Sequence, residues 1–198
     1  MNKILVLFLF SVAQMAFAQN QIEIAQKAQT ALNLFYKNPT TSPLQKADLK
    51  TFNHLDFYPI SDKYIVEARF VRAQKDSIFE MKTSGSRLPK YTIYGSLYFE
   101  IEGKSFKLNV YQNKDANRKA EYSNYLFLPF SDSTCGQTSY IGGRYMDLQL
   151  PLKETVILNF NTAYNPYCAY NHQYSCPIIP LENDLPIAIL AGVKKYHD

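Results

Sequence analysis

The sequence predicts a mainly β protein, an antiparallel barrel or sandwich with one or two α-helices at its N-terminal end. Three observations support this fold class. Sixteen Tyr and 13 Phe account for an aromatic content of 15%, which is typical of strands. Alternating apolar and polar residues recur from about residue 64 onward, which is the period of a half-buried strand. Helical spacing of apolar residues is confined to the start of the chain.

The composition is that of a folded globular protein with a small positive charge. Hydrophobic residues make up 46% of the 198 residues and charged residues 19%, which excludes a disordered chain and a coiled coil. The net charge of +4 comes without a clustered stripe of Lys and Arg, so we expect no nucleic-acid partner. We also find no repeat or linker that would separate a second domain from the first.

The first 18 residues have the features of a signal peptide. Residues 4–12 form a short apolar core, and residues 16–18 (AFA) have the small-x-small form that signal peptidase cuts. The apolar run is too short for a transmembrane helix, because Ser11 and Gln14 interrupt it. We therefore expect cleavage after Ala18, a periplasmic or secreted location, and no stable membrane insertion of the mature chain.

A helical segment is predicted for residues 19–54. Apolar residues recur at helical spacing over residues 24–35, and Pro39 forbids continuation of this helix. A second, short helix is predicted over residues 43–50, since a Ser-Pro pair is typical of a helix start.

The β domain is predicted to cover residues 55–198. We predict a hairpin at residues 95–112 and further strands at residues 64–70, 78–82, 125–130, 156–160 and 187–193. In the hairpin, a type II′ turn at Gly103 and Lys104 pairs Phe99 with Leu108 and places six apolar side chains on one buried face. Residues 161–186 contain four prolines and are therefore predicted to form a long loop.

Several motifs in the C-terminal half resemble a known family. They are residues 126–132 (LFLPFSD), 142–145 (GGRY), 163–166 (AYNP), 168–170 (CAY), 175–177 (SCP) and 182–183 (EN). These motifs resemble the bacterial and archaeal family called domain of unknown function 1684, and the resemblance runs from about residue 55 to 195. It implies no particular reaction, because the family has no named activity. The chain is similar to the short, exported form, but has Asn159 where the family usually has Asp.

Cys168 and Cys176 lie close together in the proline-rich loop. In an oxidising compartment we expect them to form a disulfide, which would stabilise so short a loop by about 2–3 kcal/mol. Cys135 is expected to stay free, because the family resemblance implies Ser or Asn at that position. A metal site and a catalytic thiol are the alternatives. Zinc needs about four N or S ligands, and His172 has no second histidine at ligand spacing, so no metal or other cofactor is predicted.

Six polar residues in segments rich in glycine and aromatics are candidate ligand-binding residues. They are Asp132, Arg144, Asn161, Asn165, Glu182 and Asn183. In one interpretation they line a pocket in which Arg144 binds a carboxylate or phosphate and Asp132 or Glu182 is a general base. In the other they cap loops and satisfy buried backbone groups.

Tyrosines cluster in the same half of the chain. Those considered for a glycan or peptide groove are Tyr140, Tyr145, Tyr164, Tyr167, Tyr170 and Tyr174. The alternative is that they pack in the core and at its edge.

Three functions are compatible with these features. The leading hypothesis is an exported binding module for a small polar or acidic ligand, held by Arg144 and the loop rich in Tyr and Asn. The first alternative is a hydrolase that uses Asp132, Glu182 or the Cys168 thiol. The second is a structural envelope protein without a small-molecule site.

Signal-peptide cleavage can be tested directly. Mass spectrometry of the exported protein is expected to find a mature chain that begins at Gln19, because the short apolar core and the Ala-x-Ala site favour cleavage over anchoring. Retention of residues 1–18 in the exported protein would contradict this prediction.

Overall fold

The structure is a computed structural model that describes residues 2–115 and 122–196, with side chains from Ala18 onward. The side chains of the predicted signal peptide before Ala18 therefore lie outside the described residues. Within these residues, eight strands form one curled, largely antiparallel sheet, a half-barrel, and two α-helices precede it. The mainly β fold class with N-terminal helices is confirmed.

The helices and strands follow one another in a simple order. They are α1 (Asn2–Lys37), α2 (Lys46–Thr51), β1 (Ile65–Arg72), β2 (Ile78–Glu80), β3 (Lys90–Ile101), β4 (Lys104–Asn113), β5 (Tyr125–Asp132), β6 (Arg144–Gln149), β7 (Thr155–Asn159) and β8 (Asp184–Leu185). The strand order in the sheet is β6-β5-β4-β3-β1-β7, with β2 paired to β3 and β8 paired in parallel to β5.

The second half of α1 attaches this helix to the sheet. Ala25 and Tyr36 have no exposed surface, and Gln29 Nε2 donates to the backbone oxygen of Asn161 at 3.0 Å. Cleavage after Ala18 would leave these contacts in the mature protein. Within the described part of the chain, no helix has both the length and the apolarity needed to cross a membrane.

The hairpin of β3 and β4 has a different register from the predicted one. Phe99 pairs with Phe106 instead of Leu108. The two turn residues are Glu102 and Gly103, with φ of 52° and 72°. Positive φ at both positions is the geometry of a type I′ turn, so the predicted type II′ turn is wrong. Because the register moves by two residues, each side chain stays on its predicted face.

A bulge in β3 changes which face of the sheet its side chains point to. The register shifts between Ile93 and Gly95, so Tyr91 lies on the opposite face from Leu97. The face of Leu97 carries the main core, to which β1 and β4 to β7 all contribute. The opposite face carries a small aromatic cluster that includes Tyr91. Gly95 allows a close approach of β1, because a Cβ there would lie 2.4 Å from the Phe70 ring.

The C-terminal half contains one region that is wrongly predicted as a strand, one strand that is not predicted and one loop that is predicted. Residues 187–193 are not a strand: their apolar alternation is buried, but two of their carbonyls accept hydrogen bonds from Arg144 instead of from a neighbouring strand. Residues 144–149 form β6, which is not predicted because its alternation of apolar and polar residues is limited to Met146–Gln149. Residues 161–186 form the predicted loop, apart from short 3-10 turns and β8.

The buried face of the hairpin can be tested by mutation. Phe99 is 4% exposed and packs against the rings of Phe106 and Phe160. Phe99→Ala is therefore expected to lower the free energy of unfolding by about 3–5 kcal/mol in denaturant titrations. Glu100→Ala, at the adjacent exposed position, is the control and should change it far less. Equal losses in the two variants would contradict the assignment of this face to the core.

Candidate functional site

Arg144 and Asp132 form a completely buried ion pair. Arg144 Nη2 lies 2.5 Å from Asp132 Oδ2, and neither side chain has exposed surface. The same Nη2 donates to the backbone oxygen of Ile189 at 2.8 Å, and Nη1 donates to that of Ala191. The pair therefore joins the segment after β8 to β5 and β6.

The carboxylate of Asp132 is fully engaged within the protein. Its Oδ1 accepts hydrogen bonds from the backbone nitrogen of Thr134 at 2.9 Å, from Thr134 Oγ1 at 2.7 Å and from the backbone nitrogen of Ile189 at 3.2 Å. A ligand would reach this carboxylate only if the covering segments moved. The geometry thus gives Asp132 and Arg144 a structural role.

Three of the candidate asparagines are also completely buried. The Asn161 side chain bonds both the backbone nitrogen and oxygen of Ser61, at 3.0 and 2.9 Å. The Asn183 side chain does the same for Asn109, at 2.8 and 2.9 Å. Asn165 Nδ2 donates to a backbone carbonyl near the C-terminal end at 2.9 Å. Each amide links segments that are distant in sequence.

The six candidate residues therefore do not share one open pocket. Asp132, Arg144 and the three asparagines are buried, whereas Glu182 is exposed in the 3-10 turn Leu181–Asn183. The described contacts of the buried five match the interpretation in which polar residues satisfy backbone groups. Ligand binding by any of the six stays a prediction.

A large open cleft lies on the face of the sheet opposite the main core. Its volume is about 830 Å³, which falls within the range of small-molecule sites. Its lining residues are Arg87, Lys90, Tyr91, Asn113, Lys114, Asp115, Tyr122, Tyr125, Leu126, Phe127, Asp147, Tyr164 and Tyr167. Of the six tyrosines that are candidates for a groove, Tyr164 and Tyr167 line this cleft.

Aromatic side chains from several strands form one surface, the aromatic floor, on the face of the sheet away from the main core. Phe127 of β5 and Tyr145 of β6 lie on the face away from the main core, with ring centroids 4.7 Å apart. Tyr91 of β3 lies 5.8 Å from Phe127, and Tyr164 lies 6.0 Å from Tyr145. Three strands and the loop after β7 thus each contribute a ring to one surface.

Asp147 and Tyr164 form a hydrogen-bonded pair in the cleft. Tyr164 Oη donates to Asp147 Oδ2 at 2.9 Å. Asp147 is exposed at the cleft, and partial desolvation by the neighbouring protein raises the pKa of its carboxyl group. The hydrogen bond from Tyr164 acts in the opposite direction. Desolvation also raises the pKa of Tyr164 well above its ordinary value. Asp147 is therefore the candidate acid–base group of the cleft.

Cationic side chains also line the cleft. They are Arg87, Lys90 and Lys114. Arg87 Nη2 donates to the backbone oxygen of Ser175 at 2.9 Å. The carboxylate of Asp115 accepts from the backbone nitrogen of Lys90 at 2.8 Å, so part of its acceptor capacity is already used. For metal binding, the described residues include no group of three or more His, Cys, Asp or Glu that could hold an ion.

The expected disulfide between Cys168 and Cys176 is not formed, and all three cysteines are free thiols. The backbone nitrogen of Cys168 donates to Cys176 Sγ at 3.2 Å, and each residue is 8% exposed. The two side chains form a hydrogen-bonded dithiol instead of a bridge. This hydrogen bond lowers the pKa of Cys168 to about 6 and raises that of Cys176.

A smaller cavity of about 320 Å³ lies beside the cleft and reaches Cys176. It shares Arg87, Tyr164 and Tyr167 with the cleft. The loop of residues 164–177 therefore forms a wall of both spaces.

Comparisons with known proteins agree with the resemblance of the motifs. The chain matches the family described as "Protein of unknown function (DUF1684)" over residues 50–194. The chain belongs to this family. It is similar to the solution NMR structure of the uncharacterized protein from gene locus rrnAC0354 of Haloarcula marismortui, with 32% identity and a TM-score of 0.67. That match covers 85% of this chain and 91% of the other. No curated protein matches the chain.

The structural role of the buried ion pair can be tested by removing its cation. Arg144→Met is expected to lower the free energy of unfolding by about 3–5 kcal/mol, because Asp132 would remain as an uncompensated buried charge. Urea titration measures the loss. The control is Lys63→Met, which removes the exposed ion pair with Glu102 and should have little effect. A loss in Arg144→Met no larger than in the control would contradict the structural role.

Proposed function

We propose that the protein binds a small ring-containing acid, a molecule with a carboxylate or a phosphate, in the cleft on the outer face of β3 to β6. The proposal rests on one observation: aromatic rings and three cationic side chains line the same open space. Tyr and Phe rings offer flat apolar surfaces on which a ligand ring packs. A guanidinium such as that of Arg87 recognises a carboxylate or phosphate through paired hydrogen bonds.

The size and composition of the cleft support a small ligand. Its volume of about 830 Å³ is near the upper end of the usual range for small-molecule sites. Such sites combine apolar walls with a few polar groups that orient the ligand. Here aromatic rings form the apolar surface, and Arg87, Lys90 and Asp147 place charged groups at different points of the lining.

This proposal keeps the ligand class favoured by the sequence and assigns it to a different site. Arg144 has no exposed surface, whereas Arg87 is exposed at the cleft. We also propose that the protein works in the periplasm or outside the cell, after removal of residues 1–18. The contacts of α1 that begin beyond Ala18 support this, because the mature chain would keep them.

Isothermal titration calorimetry with ring acids and their neutral counterparts tests the proposal. The panel contains glucuronate and glucose 6-phosphate beside glucose, and benzoate beside benzyl alcohol. We expect at least one acid to bind, at least about 10-fold more tightly than its neutral counterpart, a difference of about 1.4 kcal/mol. Equal binding within each pair, or no binding of any acid, would contradict the proposal.

Variants of the cleft locate the binding site. Arg87→Gln is expected to weaken binding of the tightest acid about 10-fold, since a lost charge-assisted hydrogen bond costs about 1.5–3 kcal/mol. Lys107→Gln removes an equal charge from an exposed position on β4 outside the cleft and should leave the affinity unchanged. The same loss in both variants would show only a general charge effect and would reject the cleft as the site.

The charge of Asp147 predicts a pH dependence. Its raised pKa means that, as the pH falls, the carboxylate becomes neutral at a higher pH than an ordinary aspartate does. The loss of this negative charge should strengthen the binding of an acid that remains ionised, such as glucuronate. Asp147→Asn should bind more tightly than wild type at neutral pH and lose this pH dependence. Unchanged dependence in the variant would exclude Asp147 as its source.

A further inference from the structure

The cysteine pair beside the smaller cavity carries an inference that is independent of the proposed ligand. We propose that Cys168 and Cys176 form a redox-active dithiol, which exchanges with small disulfides that enter the 320 Å³ cavity. A redox-active dithiol differs from a structural disulfide because it can be reduced in the folded protein, and from inert buried thiols because it can be oxidised there.

The contacts of the pair hold the two sulfurs next to each other. Cys176 Sγ accepts the backbone N–H of Cys168 at 3.2 Å, which places this sulfur beside Cys168. The backbone nitrogen of Cys176 donates to Ser84 Oγ at 3.0 Å. On the other side, Tyr140 Oη lies 3.7 Å from Cys168 Sγ. These contacts therefore hold the two cysteines in fixed positions next to each other.

The same geometry favours one thiolate in the pair. When Cys168 loses its proton, the S–H of Cys176 and the hydroxyl of Tyr140 stabilise the negative charge, which lowers the pKa of Cys168 to about 6. A thiolate is the form that attacks a disulfide. Cys176 keeps its proton in this state, and it is the cysteine of the pair that lines the cavity. A disulfide in the cavity therefore meets Cys176 first, and the Cys168 thiolate beside it can accept the proton of Cys176.

The exchange proceeds in two balanced steps. Cys176 passes its proton to the Cys168 thiolate and attacks one sulfur of the small disulfide, which forms a mixed disulfide on Cys176 and releases one thiolate that takes a proton from solvent. Cys168 then gives its proton to solvent and attacks Cys176 Sγ, which forms the internal disulfide and releases a second thiolate that takes a proton from solvent. The dithiol loses two electrons, and the small disulfide gains the same two as it becomes two thiols.

The cavity offers a reason to use an anionic disulfide as the probe. Arg87 lines the cavity together with Cys176, and its positive charge favours a molecule that carries carboxylates. Glutathione disulfide has this character. It is also a common reference for the redox potential of protein dithiols.

The experiment follows the intact mass of the folded protein in glutathione buffers. A Cys135→Ser variant leaves only the pair, and wild type is measured in parallel with peptide mapping. We expect glutathione disulfide to give a form lighter by two hydrogen atoms, with Cys168 linked to Cys176, and excess glutathione to restore the dithiol without unfolding. When Cys168 is also replaced by Ser, Cys176 should retain one glutathione as a mixed disulfide.

Two outcomes would overturn the proposal. One is a disulfide that reductants cleave only after unfolding, which would make it a structural bridge. The other is a pair that stays reduced and unmodified while an unfolded peptide of residues 164–177 reacts under the same conditions, which would make both thiols inert. Circular dichroism of each variant confirms that the comparison concerns folded protein.

Discussion

The buried guanidinium of Arg144 joins parts of the chain that strand pairing leaves unconnected. β6 lies at one edge of the sheet, and the segment after β8 has no ladder of its own. Gly143, with φ of 77°, brings β6 so close to β5 that a Cβ would lie 2.6 Å from the backbone oxygen of Phe130. Arg144 Nε has no partner among the described residues, so part of its desolvation cost is not offset. The contribution of Arg144 to the fold is therefore that it holds the connected segments in one arrangement.

The same anchor also fixes the cleft, because β6 has one side in each environment. Arg144 and Met146 lie on the core face, whereas Tyr145 and Asp147 lie on the cleft face. A strand alternates its side chains with a period of two, so the position of Arg144 determines that of Asp147. The structural pair and the candidate binding surface are thus two consequences of one strand placement.

The elements that the sequence predicts are those whose pattern is local. The face of the hairpin follows from its alternation, but its register depends on turn geometry, and Glu102 takes a positive φ that its residue type does not indicate. Residues 187–193 have the alternation of a strand, yet Arg144 replaces the ladder. Residue type alone predicts the candidate polar residues, and type does not distinguish a buried amide such as Asn161 from one that faces a ligand. The alternation of Tyr125 and Phe127 was the signal for a second, aromatic face.

The loop of residues 164–177 connects the proposed binding surface to the proposed redox pair. The buried amide of Asn165 fixes its first part, and its last part is fixed by Ser175, whose Oγ lies 2.7 Å from Thr83 Oγ1 and whose carbonyl accepts from Arg87. Between these points lie Tyr167 and Tyr174, whose rings are 5.3 Å apart and line the cavity. A disulfide between Cys168 and Cys176 would change the loop between these two fixed points. Its effect would therefore fall first on the two tyrosines, and through Tyr167 on the wall of the cleft.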